Sequence, residues 1–274
     1  MVQAFELPEI HLLNKQPLME VTFSAIKHLP LIEPDDNLVE IIISTHFKNG
    51  GSIKNGDILV IAQKIISKAE NRYLNLSDMN PTEEALSIAK EVQKDPRYVQ
   101  AVLNESTNVV RKKPGVLIVE HRLGFIHANA GIDQSNIQHF ENEERLLLLP
   151  KDPDASAQRI KEEIKSRLDV DVAVIINDTM GRAWRNGTLG LAIGLSGIAA
   201  IDNRIGENDL FGRELKVTAT AIADELAAGA SLVMGQTTEK NPVVIVTGYD
   251  FPKETPLETG IAPLIRDKEQ DLFR

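Results

Sequence analysis

Residues 173–197, AVIINDTMGRAWRNGTLGLAIGLSG, decide how the rest of the chain is interpreted. An apolar, β-branched run from Val172 to Ile176 opens the stretch and predicts a buried strand. An acid, a hydroxyl and two arginines follow at once: Asp178, Thr179, Arg182 and Arg185. Such a set at the end of a rigid strand suits a site for a metal-bound phosphate or carboxylate. The alternative is that Asp178 and Thr179 cap the next segment and that the arginines are only solvated.

The composition is that of an ordinary globular protein, long enough at 274 residues for one large domain or two lobes. A net charge of -10 provides no overall attraction for nucleic acid or anionic membranes, so an anionic substrate requires local arginine, lysine or a cation. The absence of cysteine excludes disulfides, thiolate zinc sites and a cysteine nucleophile. Residues 1–21 lack the features of a secretion signal, and the apolar stretch 189–201 is too short and glycine-rich to span a bilayer. We therefore expect a cytoplasmic protein.

The predicted elements follow a mixed rather than strictly alternating order, so we expect a mixed α/β fold, with α+β as well supported as α/β. Residues 1–18 are interpreted as an N-terminal extension and 19–274 as one unit, possibly of two lobes. Strands are predicted near 19–26, 58–62, 115–119, 125–127, 172–176 and 242–246. Helices are predicted over 37–47, after Asn80-Pro81, over 96–105, from Asp152-Pro153 and over 217–234.

A second polar segment, 128–136, follows the predicted hairpin and places two asparagines, an aspartate and a serine around Gly131. These side chains can coordinate a hard cation and hydrogen-bond a nucleotide, although the same composition suits a plain turn. Asp133 in this segment and Asp178 together suit magnesium or manganese with a phosphate far better than zinc. Two histidines of the hairpin, His121 and His127, are interpreted as ordinary strand residues.

Two lysines follow the predicted strand 58–62 and are candidates for phosphate contacts: Lys64 and Lys68. Their alternative interpretation, as solvated residues of a helix surface, is equally compatible with the spacing. The chain has no G-x-x-x-x-G-K-[ST], strand-borne G-x-G-x-x-G or G-x-S-x-G motif, so any nucleotide site is of an unusual kind.

Seven segments in order resemble the coenzyme F420-0:L-glutamate ligases, also called F420:γ-glutamyl ligases. They are LPLIEPDDNLVEII (29–42), QKIISKAENR (63–72), FIHANAGIDQSN (125–136), LLLPKDPDASA (147–157), VAVIINDTMGRAWRNGTLGLAIGLSG (172–197), DLFGRELKVTATAIADELA (209–227) and LVMGQ (232–236). The resemblance implies a family-specific mixed α/β fold of two lobes, paired as an intertwined homodimer. It also implies GTP as co-substrate, magnesium or manganese as cofactor, and assistance from potassium.

By this resemblance, L-glutamate is joined through an amide bond to a carboxylate of the coenzyme F420 precursor, by way of an acyl phosphate, and some members extend a γ-linked tail. The implied metal ligands are Asp133, Asp178, Thr179 and Gln236. The implied nucleotide contacts are Lys27, His28, Leu29, Pro30, Gln63, Lys64, Lys68, Asn136, Met234, Gly235, Gln236, Thr237, Thr238, Glu239, Lys240 and Asn241. We assign catalytic roles to Asp133, Asp178, Arg182 and Arg185, with the arginines holding substrate phosphate or carboxylate or else serving the structure.

The chain departs from the family pattern at two places. Gln63-Lys64 stands where some members carry a Ser-Thr pair that helps hold the nucleotide, so the preference for GTP over ATP is open. Gln236 stands where others carry a metal-binding glutamate, which removes one negative charge. Two alternatives therefore remain beside the ligase: a related amide-forming enzyme with another acceptor or amino acid, and a nucleotide-binding homologue without catalysis.

Overall fold

A computed structural model describes residues 20–137, 144–252 and 259–272, and the predicted N-terminal extension lies outside these ranges. The strands are β1 Thr22–Ala25, β2 Ile58–Ala62, β3 Tyr73–Asn75, β4 Ser106–Lys113, β5 Val116–His121, β6 Ile126–Ala128, β7 Arg145–Leu147, β8 Ala173–Gly181, β9 Thr188–Ser196, β10 Asp202–Asn203, β11 Ala219–Thr220 and β12 Val243–Thr247. The helices are α1 Leu38–Lys48, α2 Gln63–Ala69, α3 Glu83–Val92, α4 Pro96–Asn104, α5 Pro153–Leu168 and α6 Ile222–Met234. The mixed α/β prediction is confirmed.

A five-stranded sheet in the order β1-β12-β2-β8-β9 forms the centre of the molecule. Strand β2 pairs with β8 in parallel, and β12 pairs antiparallel with both β1 and β2. Consequently β1, β2 and β8 run in one direction, and their carboxyl ends lie at the same edge as the amino end of β12. In sheets of this kind, ligands bind beyond the carboxyl ends of the parallel strands.

The inner strands β2 and β12 and the first half of β8 are buried on both faces of the central sheet, which explains why they are apolar runs rather than alternating ones. In β2, Leu59 and Ile61 pack toward α1, α2 and α5, whereas Ile58 and Val60 pack toward α6. Side chains of a strand alternate between the two faces, so one apolar run supplies both cores. A third apolar cluster joins α3 and α4 to the three-stranded sheet β4-β5-β6.

The strand predicted to end at Ile176 continues to Gly181, so the prediction that Asp178 and Thr179 follow the strand is wrong. A shift in register between Ile176 and Asn177 lets β8 remain paired with β9 through Gly181. This pairing satisfies the backbone groups of the polar segment, which sequence periodicity alone does not indicate. Asp178 and Thr179 are consequently strand residues and do not cap a helix.

Three further boundaries differ from expectation. The helix predicted from Val217 begins at Ile222, because residues 202–220 form a hydrogen-bonded hairpin, here called the arm. The helix after Asn80-Pro81 is capped by Thr82, whose side chain accepts a hydrogen bond from the Ala85 amide. The helix predicted over 37–47 begins one residue later, at Leu38, because Asn37 is its N-cap and accepts a hydrogen bond from the Glu40 amide. Helices α4 and α5 begin after their Asp-Pro caps as expected. Within the described ranges, no helix is both long and apolar enough to cross a membrane.

Candidate functional site

A cleft of about 760 Å³ opens at the edge of the central sheet where β1, β2 and β8 end. Five segments line it together with Tyr73 of β3. The five segments follow, precede or lie within a strand of that sheet or of the hairpin β5-β6. They are residues 29–33, 62–68, 127–137, 177–179 and 234–242. The two aspartates predicted to form a site thus line the same cleft although they are far apart in the sequence.

The backbone of Asp133 is fixed by a pair of hydrogen bonds with Leu147, of 2.9 and 3.0 Å. Its side chain faces α2, where Lys64 Nζ lies 3.2 Å from Oδ1 and Gln63 Nε2 donates to Oδ2 at 2.8 Å. Burial raises the pKa of the Asp133 carboxyl above its usual value, and the charge of Asp178 raises it further, while Lys64 and Gln63 act in the opposite direction. The net shift of the Asp133 pKa is upward, because burial outweighs the two donors.

Asp178 is held by a histidine that the sequence interpretation treated as an ordinary strand residue. His127 Nε2 lies 3.0 Å from Asp178 Oδ2, and His127 Nδ1 lies 2.8 Å from the carbonyl oxygen of Ala128. Both of these oxygens accept hydrogen bonds, so the doubly protonated form of the imidazole satisfies both contacts. Burial lowers the pKa of His127, but the contacts with Asp178 and Ala128 outweigh it and raise the pKa above its ordinary value. The sequence signal was the position of His127, directly before the polar segment 128–136.

The loop after α6 also lines the cleft. Gln236 Oε1 accepts a hydrogen bond from Thr179 Oγ1 at 3.1 Å, which joins this loop to β8. Asn136 Nδ2 donates to the carbonyl oxygen of Thr237 at 3.3 Å, and Lys27 Nζ donates to Asn241 Oδ1, also at 3.3 Å. The segments predicted to contact a nucleotide therefore touch one another around the cleft.

Most of the predicted site residues line this cleft: Leu29, Pro30, Gln63, Lys64, Lys68, Asp133, Asn136, Asp178, Thr179 and 234–241. Four of the predicted site residues do not line it and are exposed to solvent: Lys27, His28, Arg182 and Arg185. Because β8 continues to Gly181, the arginines fall in the turn between β8 and β9, where Arg182 Nη1 donates to the Gly187 carbonyl oxygen at 3.0 Å. The structure does not bring the arginines to the aspartates.

The oxygen atoms around Asp178 suit a hard cation. Its carboxylate, the hydroxyl of Thr179 and the amide oxygen of Gln236 are the donor types that magnesium and manganese prefer. In the part of the chain that the structure describes, no three acids, histidines or cysteines come together as a metal cluster. Phosphate or water oxygens would therefore have to complete the coordination of a cation held here, as is usual for magnesium.

Two cationic side chains on α2 face the opening of the cleft, one helical turn apart. Burial, together with the charge of Lys64, lowers the pKa of the Lys68 ammonium. Lys64 is engaged with Asp133. Both lysines line the cleft, so they are not merely solvated residues of a helix surface. Together with the oxygens around Asp178, they provide complementary charge for a phosphate and its cation.

The fold and the cleft define a mixed α/β protein whose cleft is lined by two lysines and by carboxylate, hydroxyl and amide oxygens. Residues 27–248 match the model of the F420-0:Gamma-glutamyl ligase family, and the chain belongs to this family.

Proteins called coenzyme F420:L-glutamate ligase are similar along most of their length. The protein of Methanothermobacter thermautotrophicus is 42% identical over 256 residues, which are 93% of this chain and 100% of that protein. The protein of Methanocaldococcus jannaschii is 45% identical over 223 residues, 81% of this chain and 86% of its own length. The protein of Archaeoglobus fulgidus is 41% identical over 256 residues, 93% of this chain and 97% of its own length.

Proposed function

We propose that this chain joins L-glutamate through an amide bond to a carboxylate of the coenzyme F420 precursor, with GTP as the co-substrate. The observation that carries the proposal is the convergence of Asp133, Asp178, Lys64 and Lys68 on one cleft in a member of this ligase family. Its volume, about 760 Å³, lies in the range of sites that hold a molecule of nucleotide size.

The nucleotide is held by the segments that meet around the cleft. Lys64 and Lys68 on α2 neutralise phosphate oxygens, since ammonium groups act there as point charges. The loop 234–241 and Asn136 form the adjacent wall, and Leu29 and Pro30 border the other end. Lys27 contributes indirectly, by holding Asn241 in place.

A magnesium or manganese ion fits beside Asp178, Thr179 and Gln236 and, when bound, draws negative charge from the phosphate oxygens. There the protein's own residues hold the Asp178 carboxylate in position. His127 fixes one oxygen of Asp178, and the amide of Thr179 donates to the other at 2.8 Å. The carboxylate therefore keeps one direction before any ligand arrives, which lowers the cost of assembling the site.

The chemistry is phosphoryl transfer followed by acyl transfer. An oxygen of the acceptor carboxylate bonds to the γ-phosphorus while the bond to the β,γ-bridging oxygen breaks, which gives an acyl phosphate and GDP. The glutamate amine then bonds to the acyl carbon, phosphate leaves, and the amine gives up a proton. Both steps require charge neutralisation and alignment more than a nucleophile from the protein.

Arg182 and Arg185 are proposed to bind carboxylates of the substrates beyond the mouth of the cleft. Arg182 follows Asp178 by four positions along an extended strand, or roughly 13 Å. That separation suits an acceptor whose far end carries its own negative charges. We further propose that the chain acts as a homodimer, which the exposed apolar side chains of the arm support.

The test is to incubate the purified chain with the F420 precursor, L-glutamate, GTP, manganese and potassium. We expect masses of the precursor to increase by glutamyl units, with one phosphate released for each unit. Replacing GTP by ATP measures the nucleotide preference, which the contacts of Gln63 and Lys64 with Asp133 leave open. Phosphate release only with a different acceptor would favour a related amide-forming enzyme, and nucleotide binding without turnover would contradict a catalytic role.

A further inference from the structure

Residues from two separate segments meet at one end of the cleft, and the proposed function gives them no role. Leu31 and Glu33 belong to the loop before α1, and Tyr73 belongs to β3; all three line the cleft. The loop is held against the end of α2, because the Asp35 amide donates to the carbonyl oxygen of Ala69 at 3.0 Å. The end of the cleft that these three residues line is here called the Tyr73 corner.

Tyr73 presents an aromatic ring that is supported from outside the cleft. The Cζ atom of Arg145 lies 4.0 Å from the centre of the Tyr73 ring, so the guanidinium covers one face of the ring. Arg145 itself does not line the cleft, whereas Tyr73 does. Leu31 also lines the cleft and is 72% exposed. An aromatic ring and a large apolar side chain beside an otherwise polar cleft suit the flat faces of a heteroaromatic ring.

The acid of the Tyr73 corner differs from the other acids of the cleft. Those others accept hydrogen bonds from neighbouring groups: Asp133, Asp178 and Glu239. Glu33 donates from its backbone amide to Asp36 Oδ2, but within the described parts of the chain its carboxylate has no hydrogen-bond or ion-pair partner. Burial raises the pKa of the Tyr73 hydroxyl, Arg145 lowers it, and the charge of Glu33 raises it again, so the Glu33 carboxylate lies close to the ring. Because a free carboxylate repels phosphate, the part of a ligand that lies here must carry hydrogen-bond donors.

The Tyr73 corner is separated from the part of the cleft that suits phosphates. The backbone of Asp133 pairs with Leu147, and Leu147 pairs in turn with Tyr73. Two strand spacings amount to roughly 10 Å, which leaves room for a ribose between a base at Tyr73 and phosphates beside Asp133.

We infer that the Tyr73 corner binds the nucleobase and that Glu33 selects guanine over adenine. The base stacks on Tyr73, and the Glu33 carboxylate accepts hydrogen bonds from N1–H and from the 2-amino group, the two donors on one edge of guanine. Adenine has a lone pair at N1 and no amino group at position 2, so its corresponding edge repels the carboxylate. This inference rests on the proposed function, which places GTP in the cleft.

The experiment measures the dissociation constants of three nucleotides on the full chain with Mg²⁺ by titration calorimetry. The nucleotides are GDP, ADP and XDP, in which a carbonyl replaces the 2-amino group of guanine. The wild-type chain is expected to bind GDP at least about tenfold more tightly than ADP or XDP, since two hydrogen bonds to one edge distinguish bases by that factor or more. Glu33→Gln presents an amide nitrogen to the carbonyl of XDP, so the ratio of the two dissociation constants should shift toward XDP by at least about tenfold.

Asp35→Asn is the matched control for Glu33→Gln. It removes one negative charge from the same loop, but Asp35 does not line the cleft, and asparagine readily adopts its φ of 66°. The preference of this variant for GDP over XDP should equal that of the wild type.

Two variants of Tyr73 test the stacking surface. Tyr73→Leu is expected to weaken the binding of all three nucleotides by about fivefold or more, because stacking on an aromatic ring does not depend on the identity of the base. Tyr73→Phe keeps the ring and should bind the nucleotides as the wild type does.

A Glu33→Gln chain with the wild-type preference for GDP over XDP, or a Tyr73→Leu chain with wild-type affinities, would overturn the inference. A wild-type chain that binds none of the three nucleotides would overturn the proposed function and this inference with it. Nucleotide binding with the expected preferences but no glutamyl product would contradict the proposed function alone.

Discussion

Asp178 and its neighbour Thr179 together join three parts of the cleft. Asp178 lies on β8, contacts His127 from the end of β6, and stands beside Thr179, which contacts the loop after α6 through Gln236. A change of charge at this position, without a change of shape, therefore tests its chemical role.

Asp178→Asn is expected to lower kcat/KM for glutamyl transfer by at least about 100-fold, because a cation ligand contributes several kcal/mol to stabilising the transferred charge. The amide keeps one oxygen for His127 but turns its Nδ2 toward the Thr179 amide and removes the charge beside a largely buried imidazole, so the melting temperature is expected to fall as well. Rates are therefore compared at a temperature at which both proteins are folded. Asp171→Asn, on an exposed residue outside the cleft, is the control. Glutamyl transfer by Asp178→Asn at the wild-type rate would contradict the role given to this carboxylate.

A second buried acid, Glu105, belongs to the fold rather than to the cleft. Its Oε2 lies 3.3 Å from Arg72 Nη2, 3.1 Å from Arg122 Nε and 3.7 Å from His121 Nε2. Burial alone would raise the pKa of Glu105, but these three neighbours outweigh it and hold the pKa below its ordinary value of 4.5. The acid thereby ties the end of α4 to the turn between β5 and β6.

Glu105→Gln is expected to lower the free energy of unfolding by about 2 kcal/mol at neutral pH, since it removes one partner of a largely buried ion pair. Because the folded pKa is depressed, the contribution of the wild-type carboxylate is complete above pH 4.5 and is lost as the pH falls further. The difference between the two proteins should therefore shrink below pH 4.5 in urea titrations. Glu84→Gln, on an exposed residue, is the control, and its free energy of unfolding should show no such pH-dependent difference from the wild type. A difference between Glu105→Gln and the wild type that stays constant with pH would contradict the stabilising role given to the Glu105 carboxylate.

At the scale of elements, β9 and α6 approach each other through a glycine. A Cβ on Gly190 would overlap Ser231 Oγ, Asn177 Oδ1 and the carbonyl oxygen of Ala227. Asn177 and Ser231 are themselves joined by a 3.0 Å hydrogen bond next to the cleft. The close packing of β9 against α6 therefore requires a glycine at position 190.

Gly190→Ala is expected to destabilise the fold by about 1–3 kcal/mol, because the added methyl group has no space and the Asn177–Ser231 bond must shift. Gly181→Ala is the control on the neighbouring strand, since a Cβ there meets nothing within 4 Å. The control should change the free energy of unfolding by no more than about 0.5 kcal/mol. Equal effects of the two substitutions in denaturant titrations would contradict the close approach.

Local signals in the sequence predict most of the helices and strands. The features that these signals miss depend on pairing with distant parts of the chain. Asp152-Pro153 and Asp95-Pro96 begin α5 and α4, because caps and proline act within one turn of helix. The continuation of β8 through Asp178 depends on β9, and the arm before α6 depends on pairing across its own hairpin. Such partners are not encoded by the periodicity of either strand alone.

The same limit applies to the site. The sequence places Asp133 and Asp178 in polar segments near strands, but the strands concerned, β6 and β8, belong to two different sheets. The contact of His127 with Asp178 joins two different sheets, and that of Lys64 with Asp133 joins a helix to a loop. Neither contact has a local signature, so only the assembled fold reveals them. The predicted position of Arg182 was wrong for the same reason as the predicted end of β8, because both depend on the pairing of β8 with β9.

At the scale of the whole molecule, the arm exposes apolar surface that a single chain leaves in contact with water. Leu210 is 99% exposed, Phe211 95% and Val217 87%. The tip is ordered by hydrogen bonds within the arm, including Phe211 and Arg213 amides that donate to Asp209 Oδ1. Large apolar side chains presented on a structured tip are typical of a protein interface.

The proposed homodimer is tested by replacing Leu210 and Phe211 with serine. Burying such side chains contributes about 1.5–3 kcal/mol each, so the double variant should raise the dimer dissociation constant by well over about tenfold. Light scattering after gel filtration is expected to give twice the chain mass for the wild type and a shift toward the single chain for the variant. Leu232→Ser is the matched control, because Leu232 is 88% exposed but lies on α6 and not on the arm. Two results would contradict the proposal that the arm forms the interface. One is a wild-type chain that is monomeric at every concentration, and the other is a double variant that dimerises as well as Leu232→Ser.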